Sequence, residues 1–400
     1  MKMESRSSAS ALPGLPEKTN APTPRGNEQP RPIALLFATS GHSGVDRVVK
    51  NLVAEFGNLP LSFDLLLIRK HGPRLDTIPS NFRVFQFPVS HRNLVLPFLM
   101  IYLMKRRPVA LLTANHRLNR MALLARKLVR GNFSVAIRIG MSMEGMLTGR
   151  SERSVRRTLR SMAFWYGEAQ AIITPSAGVA QGLEMHAGVS PAHLRVIPNP
   201  IVTKRLKQEA LAPVDDPWLS AYATVSIPVI LGAGSLEPRK DFETLIQSFA
   251  RIRKHRMARL IILGEGPSRD KLEALIHRLG LREDVRLAGF VKNPYAYMSR
   301  ATVFALTSRF EGSGAVIVEA MACGTPAVST DCPTGPASIL RQGRYGPLVP
   351  VGDERSLATA IEQLLETPTP PALLEQACIP FDATNAANSY LAALGISPES

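Results

Sequence analysis

Short apolar runs alternate along the chain with longer stretches in which apolar residues recur at helical spacing. The stretch 45–56 is one of these, and its apolar residues lie on one face of a predicted helix. The apolar runs predict buried strands over 32–38, 63–68, 82–87, 109–114, 134–139, 171–176, 229–234, 259–264, 285–290, 303–308 and 326–330. Because continuous apolar strands separated by helices are typical of parallel sheets with both faces covered, the pattern predicts an α/β fold.

The predicted strands fall into two series, separated by a proline-rich connection. The prolines of this connection are Pro198, Pro200, Pro213, Pro217 and Pro228. With 400 residues, of which 45% are hydrophobic, the chain is long enough to form two cores. We therefore predict two Rossmann-like domains, over 32–200 and 201–380, after a disordered tail over 1–31 that is rich in serine and proline.

Glycine-rich turns follow several predicted strands, at the edge of the sheet where ligands of such folds bind. Gly41–Gly44 precedes a helix, where backbone N–H groups can bind a phosphate, but a tight turn explains the incomplete GxGxxG spacing equally well. In the second series, Gly234 ends a strand, Lys240 can meet a diphosphate, and Asp241 is placed to cap the next helix. A solvated basic turn is the alternative for Lys240 and the favoured interpretation for Arg239.

Two carboxylates lie close together in the stretch 308–331, SRFEGSGAVIVEAMACGTPAVSTD. Glu311 is in a glycine-rich turn, and Glu319 is inside an apolar helix predicted to begin near Ser313 or Gly314. A buried carboxylate without donors is costly, so Glu319 requires a partner. The partner is either a ligand or the protein itself. A ligand would offer its ribose hydroxyls while its diphosphate lies at the helix start, and the protein would offer an arginine or lysine.

The net charge of +16 indicates an anionic partner. Nucleic acid is disfavoured, since only 6% of residues are aromatic and no zinc-finger spacing, RNA-binding aromatic strand or helix-turn-helix is recognisable. Three cysteines without a metal-ligand spacing or a disulfide framework indicate a reducing compartment, and no apolar run reaches the ~20 residues of a spanning helix. We therefore expect a cytoplasmic protein without a metal site, and an anionic small substrate or membrane surface as partner.

Five motifs occur along the chain: SGVDRVVKNL (43–52), VIPNPI (196–201), GSLEPRKDFETLI (234–246), LGEGP (263–267), and the E-x7-E of Glu311 and Glu319 within FEGSGAVIVEAMACGTPAVSTDCPTGP. Through them the sequence resembles the retaining glycosyltransferases of family 4, from about Ile33 to about Leu365. The resemblance implies the GT-B fold, in which two Rossmann-like domains have parallel sheets facing a cleft, the acceptor domain first and the nucleotide-sugar domain second. It also implies that residues 381–400 cross back to the first domain, and that a nucleotide-diphosphate sugar is the donor, with no metal or further cofactor.

The resemblance implies roles for the charged residues. Lys240 neutralises the donor diphosphate, Glu319 holds the ribose, and Glu311 contacts hydroxyls of the transferred sugar. A stabilised diphosphate can leave while the acceptor attacks from the same face, which retains the anomeric configuration without an enzyme nucleophile. The other donor contacts that it implies are Gly41, Ser43, Gly44, Gly234, Ser235, Arg239, Gly264, Phe290, Val291, Gly312, Ser313, Gly314, Ala315 and Val316.

The sequence departs from the family pattern at two places. Ser235 stands where the family commonly has arginine, and Arg239 is the candidate to compensate. Residues 140–142 stand where the family often has a histidine after a strand, so no acceptor-side base is assigned there. His116 is the first-domain candidate for catalysis or acceptor binding, with a structural role as the alternative.

Two stretches, 94–108 and 150–166, combine basic residues with apolar or aromatic ones and are candidates for contact with an anionic membrane. In the alternative, their apolar faces pack on the sheet and their arginines are solvated. We expect an enzyme, peripheral on the cytoplasmic face of the inner membrane, that transfers a hexose-type sugar to a lipid-linked or surface-glycan acceptor. Exopolysaccharide or lipopolysaccharide biosynthesis fits such an acceptor. A nucleotide-sugar epimerase or a catalytically impaired nucleotide-sugar binder is the alternative function.

Overall fold

The structure, a computed structural model, describes residues 17–18, 31–39, 44–141, 143–147, 149–219, 227–333 and 335–397. The chain divides into two compact units. The first unit comprises Met1–Ile139, Met162–Ile173 and Leu391–Ser400, and the second comprises Gly140–Ser161 and Thr174–Tyr390. The candidate residues Gly41 and Ser43 lie outside the described residues, as does most of the predicted tail.

The first sheet has eight described strands, in the order β1-β4-β3-β2-β5-β6-β7-β8. Strands β2 to β7 pair in parallel, and the short β1 pairs antiparallel with β4. The strands are β1 (Glu17–Lys18), β2 (Ile33–Phe37), β3 (Phe63–Ile68), β4 (Phe82–Phe87), β5 (Ala110–Ala114), β6 (Ser134–Arg138), β7 (Ala171–Thr174) and β8 (Leu194–Val196). The helices along this part of the chain are α1 (Gly44–Phe56), α2 (Val95–Arg106), α3 (His116–Leu128), α4 (Met143–Leu147), α5 (Glu152–Tyr166) and α6 (Ala177–Ala187).

The second sheet has six described strands, all parallel, in the order β11-β10-β9-β12-β13-β14. They are β9 (Val229–Ala233), β10 (Arg259–Leu263), β11 (Val285–Gly289), β12 (Val303–Leu306), β13 (Ala327–Thr330) and β14 (Leu348–Val349). The helices are α7 (Lys204–Ala210), α8 (Phe242–Arg253), α9 (Arg269–Arg278), α10 (Pro294–Met298), α11 (Ala315–Ala322), α12 (Pro336–Ile339), α13 (Glu354–Glu366), α14 (Pro371–Cys378) and α15 (Ala383–Ala393).

Alternate residues of the second sheet belong to different apolar clusters, as the alternation of side chains along a strand requires. In β9, Ile230 packs in the cluster that contains residues of α8, α9 and α13. Its neighbours Val229 and Leu231 pack in the cluster that contains residues of α10, α11 and α14. Both faces of this sheet are therefore covered, which explains why its strands read as continuous apolar runs. The predicted fold class of two Rossmann-like parallel sheets is confirmed.

The strand order of the second sheet reverses between β9 and β12. From β9 the chain proceeds outward to β10 and β11, and then returns to β12 on the other side of β9. Ligands of open α/β sheets bind beyond the carboxyl ends of the strands at such a reversal. The residues that follow β9 and β12 are therefore the first place in this unit to look for a site.

Candidate active site

An ion pair joins the two turns at the reversal point of the second sheet. Lys240 ends the short helical turn Pro238–Lys240 after β9, and Glu311 lies in the turn after β12. Lys240 Nζ donates to Glu311 Oε1, and the two side chains are 10% and 9% exposed. The structure thus brings together two residues that are far apart in sequence and that were predicted for one site.

Buried hydroxyl groups surround this ion pair. Ser308 Oγ donates to the same oxygen, Glu311 Oε1, at 2.6 Å. Thr307 Oγ1 donates to the carbonyl oxygen of Lys240 at 2.9 Å, and Thr330 Oγ1, at the end of β13, donates to that of Ser308 at 2.7 Å. These three residues were missed by the sequence analysis, since nothing in the spacing of serine or threonine marks them.

The second carboxylate, Glu319, is buried in α11 and only 2% exposed. The helix begins at Ala315, and Gly314 precedes it in the left-handed region at φ +65°, a conformation that favours glycine. The predicted start of the helix near Ser313 or Gly314 is confirmed. Burial, with Glu319 nearby, raises the pKa of the Cys323 thiol to about 12. That thiol is therefore neutral near pH 7.

Arg239 lies beside the position at which the sequence departs from the family pattern. Its Nη2 is 3.4 Å from Ser235 Oγ, and its Nε donates to Glu237 Oε2 at 2.7 Å. A guanidinium group therefore stands next to Ser235, although it comes from a residue four positions later. Its side chain is 36% exposed, so a ligand can reach it.

Asp241 does not cap α8 through its side chain, so that prediction was wrong. Asp241 precedes the helix, but its φ of +49° is left-handed rather than extended, and its side chain makes no capping hydrogen bond. Its Oδ2 instead lies 3.0 Å from Nη2 of Arg309. This ion pair joins the turn after β9 to the turn after β12, next to Lys240 and Glu311.

Gly264, predicted as a donor contact, lies where the turns after β9 and β10 meet. A Cβ atom at Gly264 would lie 1.9 Å from the carbonyl oxygen of Gly234, so the close approach requires glycine. The N–H of Gly264 donates to the carbonyl oxygen of Gly289 at 2.7 Å. After β11, Phe290 is 80% exposed and Val291 is partly buried. Phe290 thus presents an aromatic face at an outer strand end of the same sheet.

In the first unit, His116 opens α3 directly after β5. Its Nδ1 lies 2.9 Å from the hydroxyl oxygen of Tyr166, which is fully buried and whose pKa burial raises. A contact of this kind is expected if His116 has a structural role, and the ring is half-buried.

Gly44 begins α1, and a Cβ atom there would meet no other atom within 4 Å.

The two basic stretches differ in what the structure does with them. In α2, the apolar side chains of Val95, Leu99, Tyr102 and Leu103 are buried. Packing therefore explains part of the apolar character of 94–108, while Leu94, Ile101 and Met104 are exposed. In α5, the arginines are exposed and Phe164 is 69% exposed; these arginines are Arg153, Arg156, Arg157 and Arg160.

Among the described helices, none is both long and apolar enough to cross a membrane. Within the same part of the chain, no three His, Cys, Asp or Glu residues are grouped as metal ligands.

Two protein-family models match the chain in succession. Residues 42–205 match the model described as glycosyltransferase family 4, and residues 227–367 match the model described as glycosyl transferases group 1. The second match contains Lys240, Glu311 and Glu319. Both models are of glycosyltransferases, and between them they cover most of the chain that the structure describes.

Two relatives illustrate what the chain is similar to. The N-acetylgalactosamine-N,N'-diacetylbacillosaminyl-diphospho-undecaprenol 4-alpha-N-acetylgalactosaminyltransferase of Campylobacter jejuni is 33% identical over 201 residues, covering 50% of this chain and 52% of the relative. The lipopolysaccharide core biosynthesis glycosyltransferase LpsE of Rhizobium meliloti is 36% identical over 172 residues, covering 43% of this chain and 47% of the relative. The chain spans about half the length of these curated relatives.

Solved structures agree with the fold. Anabaena Alr3699/HepE in complex with UDP superposes with a TM-score of 0.71 at 19% identity, over 91% of this chain and 99% of that one. The lipopolysaccharide outer core galactosyltransferase WaaB, in its apo form, gives a TM-score of 0.68 at 20% identity, over 90% of this chain and 99% of that one. The predicted GT-B class is therefore confirmed as a fold.

Proposed function

Because the chain belongs with the glycosyltransferases of family 4 and group 1, we propose that it transfers a hexose-type sugar from a nucleotide-diphosphate donor with retention of configuration. The observation that carries the proposal is the buried Lys240–Glu311 pair at the strand-order reversal. A cation and a carboxylate held there, next to the start of α11, suit a substrate that combines a diphosphate with a sugar.

In the proposed complex, each part of the donor meets one feature of the site. The diphosphate accepts hydrogen bonds from Lys240 and from the N–H groups at the start of α11, and Arg239 adds a second positive charge. The ribose hydroxyls reach Glu319, and the transferred sugar lies against Glu311. Phe290, with its exposed ring, and Val291 lie towards the base.

Catalysis then consists mainly of stabilising the leaving diphosphate. As the bond from the anomeric carbon to the diphosphate oxygen breaks, negative charge grows on the diphosphate, and Lys240 is placed to stabilise it. The acceptor hydroxyl attacks from the same face, and its proton passes to the departing phosphate oxygen. This sequence needs no covalent enzyme intermediate and retains the anomeric configuration.

Relatives support a lipid-linked or glycan acceptor. The name of the Campylobacter relative describes transfer to a saccharide on diphospho-undecaprenol, and that of the Rhizobium relative describes lipopolysaccharide core biosynthesis. The HepE structures contain UDP or UDP-glucose, which supports a uridine nucleotide as the first donor to test. We propose an acceptor of the same kind, presented at a membrane surface.

The exposed arginines of α5 are the proposed membrane contact. Each basic residue near an anionic surface contributes roughly 1 kcal/mol, and the exposed ring of Phe164 can enter the headgroup region. Flotation with phosphatidylglycerol vesicles tests this contact in a variant with glutamine in place of Arg153, Arg156, Arg157 and Arg160. The charge-matched control has glutamine in place of the exposed residues Lys254, Arg278, Arg282 and Arg355. Loss of binding only in the first variant supports the contact, and equal binding by all three proteins contradicts it.

The function itself is tested by incubating the purified protein with UDP-, GDP- and ADP-sugars, with and without a lipid-linked glycan extract. We expect one nucleotide class to be consumed and its sugar to reach the acceptor, with the anomeric configuration of the donor retained in the product by NMR. Conversion of the nucleotide sugar without acceptor would support an epimerase instead. Donor binding without any turnover would support an impaired binder.

A further inference from the structure

The hydroxyl group of Ser308 shares an acceptor atom with Lys240. Ser308 Oγ donates to Glu311 Oε1 at 2.6 Å, and Lys240 Nζ donates to the same oxygen. Ser308 itself is completely buried. A serine hydroxyl has a single proton to donate, so this contact uses the whole donor capacity of the side chain.

Ser308 is fixed to the sheet, whereas Glu311 is in a turn. The carbonyl oxygen of Ser308 accepts from Thr330 Oγ1 at 2.7 Å, and Thr330 is the last residue of β13. Strands β12 and β13 pair in parallel just before these residues, with Leu306 opposite Ser329. Ser308 therefore connects the carboxylate of Glu311 to the end of β13.

Lys240 and Ser308 both donate to Glu311 Oε1 but differ in charge, and this difference matters when a donor substrate binds. Lys240 carries a positive charge, which a diphosphate attracts more strongly than a single carboxylate does. Ser308 is neutral and completely buried, so a phosphate competes for it less strongly than for Lys240. When Lys240 donates to the diphosphate instead of to Glu311, the hydrogen bond from Ser308 to Glu311 can remain.

We propose that Ser308 is a positioning residue, which keeps the carboxylate of Glu311 oriented towards the transferred sugar after Lys240 has turned to the diphosphate. The proposal rests on the proposed function of the site. In this arrangement, binding of the donor releases Glu311 from its ion pair without releasing its orientation. Ser308 acts through Glu311 and contacts no part of the substrate.

The test is a double-mutant cycle of Ser308→Ala and Glu311→Gln. Ser308→Ala should lower kcat about tenfold, because a misoriented side chain at a reacting centre costs about this much or more. The donor KM and the Kd for free nucleoside diphosphate should stay within about twofold, since Lys240 and Glu319 are intact. In the Glu311→Gln background, the same substitution should have almost no further effect on kcat, because the two residues act as one unit.

Ser329→Ala is the matched control. Ser329 is also a fully buried serine, and its Oγ donates to the carbonyl oxygen of Thr330 at 2.9 Å without contacting Glu311. Its removal should leave kcat within about twofold and change the melting temperature as much as Ser308→Ala does. Equal loss of kcat in both variants would make the effect one of packing and overturn the proposal.

Three further outcomes bear on this proposal and on the proposed function. Independent, multiplicative losses of kcat in the cycle, with an active wild-type protein, would overturn the role of Ser308 and leave the function standing. A wild-type protein that turns over no nucleotide sugar would overturn both. Loss of nucleoside diphosphate affinity in Ser308→Ala would also contradict the proposal, since it would place Ser308 in the diphosphate site.

Discussion

Asp64 in the first unit and Glu311 in the second are both buried carboxylates paired with a cation, but they are held in different surroundings. Asp64 is fully buried in β3, where it accepts from Tyr102 Oη at 2.7 Å and from Arg106 Nε at 3.0 Å. Glu311 lies beyond the end of β12, and its side chain is 9% exposed. The first pair joins a strand to a helix, and the second joins two turns at a strand-order reversal.

The difference shows that burial of a charge does not by itself mark a functional site. Asp64 is the second residue of β3 and its partners Tyr102 and Arg106 come from α2, so the pair lies away from the carboxyl end of the strand, where ligands of such folds bind. Lys240 and Glu311 lie at the sheet edge where ligands of α/β folds bind, so a ligand can compete for each partner. Position relative to the strand ends therefore separates a structural pair from a candidate catalytic one.

The largest expected effect is on stability in the first unit. Arg106→Met removes the guanidinium group and leaves the carboxylate of Asp64 buried, still accepting from Tyr102 Oη, and breaking a buried pair in this way costs about 3–5 kcal/mol. Urea denaturation should show this loss, while kcat per folded molecule stays unchanged. Lys105→Met, at the exposed neighbouring position, is the control and should change stability by under about 0.5 kcal/mol. If Arg106→Met lost kcat under conditions in which it is fully folded, the distinction between a structural and a catalytic ion pair would be contradicted.

The next largest effect is on catalysis in the second unit. Lys240→Met should lower kcat by about 100- to 1,000-fold, the range for losing one preorganised group that stabilises a developing negative charge. Steady-state kinetics with the identified donor measures it. Lys271→Met is the control, because Lys271 is 70% exposed in the same unit and pairs with Glu243. If both variants kept full activity, Lys240 would have a structural role, as Arg106 does.

A smaller effect is expected at Glu319. Glu319→Gln keeps the shape of the side chain and removes the charge that the ribose hydroxyls meet. A hydrogen bond to a charged group contributes about 1.5–3 kcal/mol, so nucleoside diphosphate affinity should fall about 10- to 100-fold by calorimetry. Glu243→Gln, at a partly exposed carboxylate, should leave the affinity unchanged. Unchanged affinity in Glu319→Gln would indicate that Glu319 pairs with a group of the protein and not with the ribose.

The smallest effect concerns Cys332, which lies near the ion pair. Burial, with Glu311 nearby, raises the pKa of this thiol from its ordinary 9.0 to about 11. Folding therefore favours the neutral thiol, and the resulting stability is present below about pH 9 and is lost as the pH rises towards 11. Urea denaturation at pH 8 and pH 10.5 should show a smaller loss in Cys332→Ala than in the wild type. Rapid alkylation of Cys332 in the folded protein at pH 8 would contradict this.

The strands and the residues at their ends were predictable from sequence, because both follow from local patterns. Buried parallel strands read as apolar runs, and Lys240, Glu311 and Glu319 follow such runs at positions typical of ligand contacts. That Lys240 and Glu311 contact each other depends on β9 lying next to β12, and the order of strands is not written in any local pattern.

The residues that support the pair were beyond prediction for a related reason. Ser308 and Thr330 act through hydroxyl groups that have no characteristic spacing, and they meet because two strands are neighbours. The error at Asp241 has a different cause. Aspartate before a helix usually caps it from an extended backbone, and here a left-handed turn directs the carboxylate to Arg309 instead.

The central claim is that the cation of the Lys240–Glu311 pair is available to a diphosphate, whereas that of the Asp64–Arg106 pair is not. Calorimetric titration of UDP, GDP and ADP into the wild type, Lys240→Met and Arg106→Met tests it most directly. The account predicts that one nucleotide binds the wild type and Arg106→Met with equal affinity and binds Lys240→Met at least tenfold more weakly. Equal affinity in all three proteins would contradict it and would make the pair at the strand ends a structural one.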